Sequence, residues 1–295
     1  MISAAPYRDR VVHHALCNII EPLFDKTFIF DSYANRKGKG THKAIERYQE
    51  YAKQYPYVLK CDIRKFFPSL DLAILKQEIR WKIVCPDTLW LIDLIIDNSN
   101  LQEEHLVYFP QDNLFTPHER RRGLPIGNLT SQFWANVYLN RFDHFIKEEL
   151  DVPYIRYVDD FVLFSKSKQI LRGYKLLIDK ALTQLRLITH PTKSTIYRVT
   201  DGVPFLGFKI YPTHRIVKKQ GTRRFKRHLK NRIHDWRTGQ LSPDRLESGL
   251  NAWLGHIRFG ISKKLEYNVF WTIRHAGVSL FTHPRNSWRV LEQQQ

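Results

Sequence analysis

Two adjacent acids, Asp159 and Asp160, stand in "YIRYVDDFVLFS" between apolar and aromatic flanks, and a third, Asp62, closes the short apolar run of "YVLKCDIRKFF". Carboxylates are hard oxygen donors, and three of them brought together suit Mg2+. A pair of such ions held about 3.5–4 Å apart serves in-line displacement at phosphorus, one activating the attacking oxygen and one carrying the leaving phosphates. The expected chemistry is therefore two-ion nucleotidyl transfer, with two Mg2+ as cofactors. Taken singly the signals are weak: an acid pair in a turn is usually just solvated, and Asp62 could be an ordinary strand-end acid.

The elements around the acids must position them. Apolar and aromatic residues flank the Asp159–Asp160 pair closely, which predicts a hairpin with the pair at or beside its tight turn. The run from Tyr57 to Asp62, with a proline on each side, reads as a buried strand ending near Asp62. Helical spacing of apolar residues runs from Val11 to Leu23, at 11, 12, 15, 16, 19, 20 and 23. A second helix carries Ala44, Ile45, Tyr48 and Ala52, with Thr41 as its expected cap. Helical patterns resume at Leu72 and through "DTLWLIDLIID", and residues 98–122 read as a polar loop ending in three arginines. A Gly/Pro/Asn loop then leads to Thr130 or Ser131 as a cap, and to a helix with Trp134, Tyr138, Phe142, Phe145 and Ile146 on one side.

Composition bounds the partners. The 295 residues hold 47 Lys and Arg against 29 Asp and Glu, a formal charge of +18, yet 43% are hydrophobic and 13% aromatic. Such a chain folds and attracts a polyanion. Three cysteines, Cys17, Cys61 and Cys85, without a CxxC pair, argue against a disulfide framework or a cysteine zinc ribbon and fit a reducing compartment. No apolar run reaches membrane-spanning length and the start lacks the order of a signal peptide, so a cytoplasmic location is expected. His13 and His14 read as packing or capping residues, and no histidine metal site is expected. The basic, glycine-rich "SYANRKGKGTHK" reads as a solvated loop or as one lying on phosphates through Arg36, Lys37 and Lys39.

Five stretches in order, "LKCDIRKFFPSLD", "RGLPIGNLTSQ", "YVDD", "LITHPTKS" and "VPFLGFKIYPTHR", resemble the successive motifs of a reverse transcriptase palm. Within that class the chain most resembles the reverse transcriptases of diversity-generating retroelements. "GLPIGNLTSQ" is the main pointer, because relatives in group II introns, retrons and retroviruses usually carry Gln where this chain has Ile126; "LFTPHERR", "YPTHR" and "WLGHIR" also look like that family.

The resemblance implies a bacterial or phage-encoded enzyme of α+β class, a right-hand polymerase with fingers, a palm of antiparallel sheet with flanking helices, and a helical thumb. It copies a template RNA into cDNA with frequent errors opposite adenine, binding the RNA/DNA duplex and dNTPs, beside a small basic pentameric accessory protein. Expected divisions are fingers at 1–56, palm at 57–71 and 123–212, fingers or palm helices and a loop at 72–122, and a basic thumb at 213–295.

By the same resemblance Asp62 and Asp159 are the main ion ligands, Asp160 a support or outer ligand, and Ile63 offers its backbone carbonyl. Phe67 matches the aromatic that closes the pocket against a ribose 2′-hydroxyl, and a bulky apolar ring leaves that hydroxyl crowded and without a hydrogen-bond partner. Core packing is the expectation for one of Phe66 and Phe67, as strand neighbours facing opposite ways. Ile126 and Gly127 lie against the nascent base pair, where isoleucine offers shape but no polar check; filling space beneath the loop is the alternative for Ile126. Gln132 belongs to the same motif. Lys193 matches a lysine near the leaving pyrophosphate, and Arg64 and Lys65 are candidates for the triphosphate.

In "HRIVKKQGTRRFKRHLKNRIHDWR" Phe225, Leu229, Ile233 and Trp236 recur at helical spacing while ten Lys and Arg face one acid. Such a helix packs by one side and presents Arg223, Arg224, Lys226, Arg227 and Lys230 to a duplex backbone. A second helix with Leu246, Leu250, Trp253 and Ile257 is expected to pack behind it. The resemblance also implies an upstream fingers stretch that this chain, starting almost at "ISAAPYRDR", does not carry, and no HNH, integrase or RNase H segment is read. Two alternatives stay open: a group II intron-like or free-standing reverse transcriptase of ordinary fidelity, and a non-catalytic RNA-binding remnant. The intact acids speak against the remnant, and the short N-terminus speaks for it.

Overall fold

A computed structural model describes residues 5–99, 107–275, 280–282 and 288–290, the last two segments by their backbone. The terminal glutamines and residues 100–106 of the polar loop lie outside them. The chain divides into two compact units, Met1–Arg198 and Val199–Gln295.

The first unit opens with α1 (Tyr7–Asp25) and α2 (Thr41–Gln54), followed by strand β1 (Tyr57–Asp62). Next come the one-turn α3 (Phe66–Ser69), α4 (Leu72–Arg80), α5 (Pro86–Asp97), the short α6 (Thr116–Glu119) and α7 (Leu129–Tyr138). After α8 (Asn140–His144) and a π-helical turn at Phe145–Glu149, the hairpin strands β2 (Tyr154–Tyr157) and β3 (Asp160–Ser165) lead to α9 (Lys168–Gln184) and β4 (Thr195–Arg198). The four strands form one antiparallel sheet in the order β2-β3-β1-β4, so β1 and β3 are its central pair.

Alternation along those two strands divides the sheet into faces. Leu59, Cys61, Phe161 and Leu163 point into the core with Trp134, Tyr138, Phe142 and Ile146. On the opposite face the register sets Val58 beside Phe164, Lys60 beside Val162 and Asp62 beside Asp160. The apolar end of that face lies under α2, where the Tyr48 ring meets Phe164 edge-on at 4.9 Å. The charged end is left for chemistry.

Several local expectations need correction. Thr41 is the first residue of α2, preceded by Gly40 at φ 106°, and its hydroxyl bonds the Tyr157 hydroxyl instead of capping. Thr130 and Ser131 lie inside α7, which starts after Asn128; the Asn128 side chain accepts from the Ala5 N–H. The expected long helix from there breaks at Leu139, and the turn at 145–149 widens to i→i+5 spacing, as in Leu150 N–H to Phe145 O. In α1 the buried face is Leu16, Cys17, Ile20 and Phe24 with His13, whereas Val11, Val12, Ile19 and Leu23 are exposed. The face is fixed by packing on α7, where Phe24 meets Phe133, and not by the hydrophobic count.

The second unit holds a three-stranded antiparallel sheet of β5 (Val203–Phe205), β6 (Phe208–Ile210) and β7 (Arg215–Val217). Helices α10 (Lys219–Arg237), α11 (Pro243–Arg258) and α12 (Lys263–His275) follow, with strands β8 (Leu280–Thr282) and β9 (Trp288–Val290) paired after them. Leu229 and Ile233 of α10 and Leu246, Leu250, Leu254 and Ile257 of α11 are buried. Phe225 stacks flat on Trp253 at 3.8 Å. Among the described residues no helix is long and apolar enough to cross a membrane.

Candidate active site

The hairpin turn is two residues long, Val158 and Asp159, between the paired Tyr157 and Asp160. Val158 adopts φ 57°, a left-handed conformation that a β-branched side chain tolerates poorly. Buried contacts impose it. Arg156, 0% exposed, uses all five of its N–H donors: Nε and Nη2 on the two oxygens of the equally buried Asp143 (2.7 and 2.6 Å), and Nη1 on Asn136 Oδ1 (3.1 Å) and the Val158 carbonyl (3.2 Å). The fifth goes from Nη2 to the Ser32 hydroxyl at 3.3 Å. Tyr154 donates to Asp143 as well, at 2.9 Å. An ion pair this deep persists only when fully hydrogen-bonded, and here the completed network also grips the turn backbone.

From the other side, the Ile63 N–H donates to the Asp159 carbonyl (3.3 Å), and the end of β1 is stitched to residues 188–190 by Arg64 N–H to Ile188 O (2.9 Å) and His190 N–H to Asp62 O (2.6 Å). The three acids thus sit on two central strands and a clamped turn. Asp62 and Asp160 face each other in register, a like-charge pairing that costs stability unless compensated. Two lysines compensate: Lys60 Nζ lies 2.8 Å from Asp160 Oδ1 and Lys193 Nζ 2.9 Å from Asp62 Oδ2. The bond to Asp62 holds the Lys193 ammonium above the usual lysine range. Among the described residues no lysine bonds the Asp159 carboxylate as it does the other two; burial pushes its carboxyl up to about 6, with Asp160 and Asp62 adding to the rise.

The donor set fits a hard divalent ion, because all three side chains offer carboxylate oxygens and two already hold a cation in the form of an ammonium group. Among the described residues no three acidic, histidine or cysteine side chains close on a common point; Asp62 and Asp160 are each drawn onto a lysine instead.

A family model described as reverse transcriptase (RNA-dependent DNA polymerase) matches residues 1–210. The chain belongs to the reverse transcriptase family. It is 23% identical to Protein YkfC of Escherichia coli (strain K12) over 72% of this chain and 62% of that one. It is also 26% identical to nuclear intron maturase 1, mitochondrial, of Arabidopsis thaliana, over 30% of this chain and 12% of the maturase. Telomerase from Candida tropicalis, solved with a fragment of telomeric RNA, superposes with a TM-score of 0.53 at 15% identity, covering 90% of this chain and 47% of that one. The chain thus spans less than two thirds of the length of each. The fold is that of a right-hand polymerase, with mixed helices and antiparallel sheet as the sequence implied.

Around the reverse transcriptase acids the other predicted residues fall into groups. Ile63 is buried and Arg64 and Lys65 are exposed, Lys65 at φ 46° as the chain turns into α3. Phe66 is the core residue of its pair and Phe67 is half-buried. They lie in a helical turn, so the strand alternation expected of them is not what separates them. Backbone bonds Gly123 N–H to Leu70 O (2.8 Å) and Leu124 N–H to Phe67 O (2.9 Å) fix the Ile126–Gly127 loop beside Phe67. Ile126 is 40% exposed, which excludes filling space beneath the loop; Gly127, at φ 128°, and Gln132 are exposed too.

Arg36 is not a phosphate contact. Its guanidinium is spent on Asp25, on the Ile29 and Ser32 carbonyls and on the Asp25 carbonyl, tying its own loop together. Lys39 donates to the Phe30 carbonyl, and burial lowers its pKa. Lys37 is exposed. On α10 Arg223, Arg224, Arg227 and Lys230 are exposed and Lys226 half-buried. His13 is buried, its pKa lowered by that burial, and His14 is exposed.

Sequence reasoning missed Lys60 and the Arg156–Asp143 pair. Lys60 carries a usable signal, since two residues from Asp62 in a strand means the same face. Arg156 carries a partial one, a lone charge in an otherwise apolar strand; nothing in the spacing names Asp143 as its partner.

Proposed function

We propose that this reverse transcriptase chain is an RNA-directed DNA polymerase that makes cDNA on a template RNA. The observation that carries the reading is the facing pair Asp62 and Asp160 on the central strands, with Asp159 in a turn clamped from both sides. Two Mg2+, when bound, would supply activation of the primer 3′ oxygen and charge neutralisation at the triphosphate. Asp62 and Asp159 would hold them, with Asp160 in support and the Ile63 carbonyl at the rim. The chain's own residues then do the rest. Phe67 excludes a ribose 2′-hydroxyl, Lys193 swings from Asp62 to the leaving pyrophosphate, and exposed Arg64 and Lys65 meet the phosphates. In the second unit, Arg223, Arg224, Lys226, Arg227 and Lys230 would track the template–product backbone as a thumb, whereas residues 57–71 and 123–212 act as palm.

The finer reading is an error-prone enzyme of a diversity-generating retroelement, working with a small basic accessory protein. The exposed Ile126 supports it, because an apolar side chain at the nascent pair discriminates by shape alone. A second reading, an intron-associated enzyme of ordinary fidelity, is favoured by the similarity to an intron maturase.

The test is Mg2+-dependent DNA synthesis on a primed RNA template, comparing wild type with Asp159→Ala and Asp160→Ala and sequencing the product. Synthesis that the variants lose supports the polymerase, and errors concentrated opposite adenine select the retroelement reading over the accurate one. No synthesis by wild type, with accessory protein present, leaves an RNA-binding remnant.

A further inference from the structure

The two lysines on the acids are not equivalent. Lys193 reaches Asp62 from a loop, with its side chain 56% exposed, so water competes for its ammonium and an arriving cation displaces it readily. Lys60 reaches Asp160 from within the central strand, with its side chain only 13% exposed. Its backbone is fixed by ladders on both sides, to β3 and to β4, and in a strand the next residue on its face toward the turn is Asp62 itself. A largely buried ammonium whose carboxylate partner left would face a desolvation cost that water repays only in part. Lys60 and Asp160 therefore stay together while Lys193 and Asp62 separate.

We infer that Lys60 is a positioning residue for nucleotidyl transfer: it holds the Asp160 carboxylate back, so that Asp62 and Asp159 form the ion site and Asp160 supports it from outside. The inference rests on the polymerase reading, and it assigns a role to a residue that lies outside the three acids. It also explains how three acids and their ions stay balanced: one carboxylate is neutralised from within the sheet, and the other two remain for the incoming cations. Without Lys60, Asp160 is free to turn in and add a third full negative charge. Such a site binds a divalent ion more tightly but in the wrong place.

Two measurements on the full chain test this: Mn2+ binding without nucleotide, followed by electron paramagnetic resonance, and the metal dependence of primer extension. Lys60→Met should bind Mn2+ several-fold more tightly than wild type while its extension rate at saturating metal falls at least tenfold; Lys60→Arg should stay near wild type in both. Adding Asp160→Asn to Lys60→Met should return Mn2+ affinity toward the wild-type value, because the freed carboxylate is the cause. Lys60→Gln, polar and easier to accommodate, provides the same reading if the methionine variant does not fold. Unchanged or weaker Mn2+ binding in these neutral variants, or a gain that survives Asp160→Asn, overturns the inference. Failure of the polymerase reading looks different: wild type itself does not extend primers, whatever the lysine variants do to Mn2+.

Discussion

Two sets of cation–carboxylate pairs lie on either side of one hairpin. Beneath it, Arg156 and Asp143 are wholly buried, bidentate and saturated with hydrogen bonds. On the chemical face, Lys60 and Lys193 hold Asp160 and Asp62 by single contacts, the first largely buried and the second exposed. The interior pair uses a planar guanidinium with five fixed donors and the rim pairs use point-charge ammoniums, as suits their tasks. A permanent scaffold calls for many directed bonds in a dry place, whereas a site that must admit cations needs at least one contact that can be exchanged, here that of the exposed Lys193 to Asp62. The difference teaches that the same charge pairing serves as a girder or as a placeholder according to burial and valence.

The largest effect should come from cutting the girder. Arg156→Met leaves Asp143 charged in the core without its cation, held only by the Tyr154 hydroxyl, and should cost about 3–5 kcal/mol of unfolding free energy, measured by urea denaturation. The double variant Arg156→Met with Asp143→Leu should recover most of that loss, yet stay poor in primer extension because the Val158 carbonyl has lost its donor. Recovery of both would mean that the pair does not position the turn.

A smaller effect is expected at Asp159, the acid held by burial and not by a lysine. Its carboxyl is raised to about 6 in the folded chain, against about 3.9 in an unfolded one. The folded form therefore binds the proton more tightly, and the ionised carboxylate costs stability that is absent below about pH 4, grows toward pH 6 and is complete above it. In EDTA, Asp159→Asn should accordingly raise the unfolding free energy at pH 8 by up to about 3 kcal/mol, read by urea denaturation, and leave it unchanged at pH 4. A gain equal at both pH values would assign the effect to packing.

The smallest effect should be that of Lys193→Gln on stability, within about 0.5 kcal/mol by urea denaturation, because an exposed single ion pair contributes little. A loss of several times that size would make Lys193 a structural partner of Asp62 and erase the contrast with Arg156.

Much of the site was legible in the sequence where it depended on spacing. Close apolar and aromatic flanks predicted a hairpin with the two acids at or beside its turn, a short apolar run ending in Asp62 predicted a buried strand, and the motif resemblance implied that the three acids meet. Lys60 could have been read by the same two-residue rule but was lost among 47 basic residues. What spacing does not encode stayed hidden. Asp143 finds Arg156 through the fold, Arg36 turns inward because four acceptors surround it, and the face of α1 is chosen by α7. The caps misled for a related reason: Thr130 and Ser131 are small enough to be buried inside a helix, and a residue that can cap need not do so.

Cys61 sits between Lys60 and Asp62 in β1, on the core face, with its thiol pushed up to about 12 by burial. A reagent that needs the thiolate meets almost none there at neutral pH. Cys17 is buried with its thiol raised in the same way, whereas Cys85 is exposed. Maleimide dyes should therefore label the native chain once, at Cys85, which provides a single attachment point for fluorescence while the strand that carries the chemistry stays untouched.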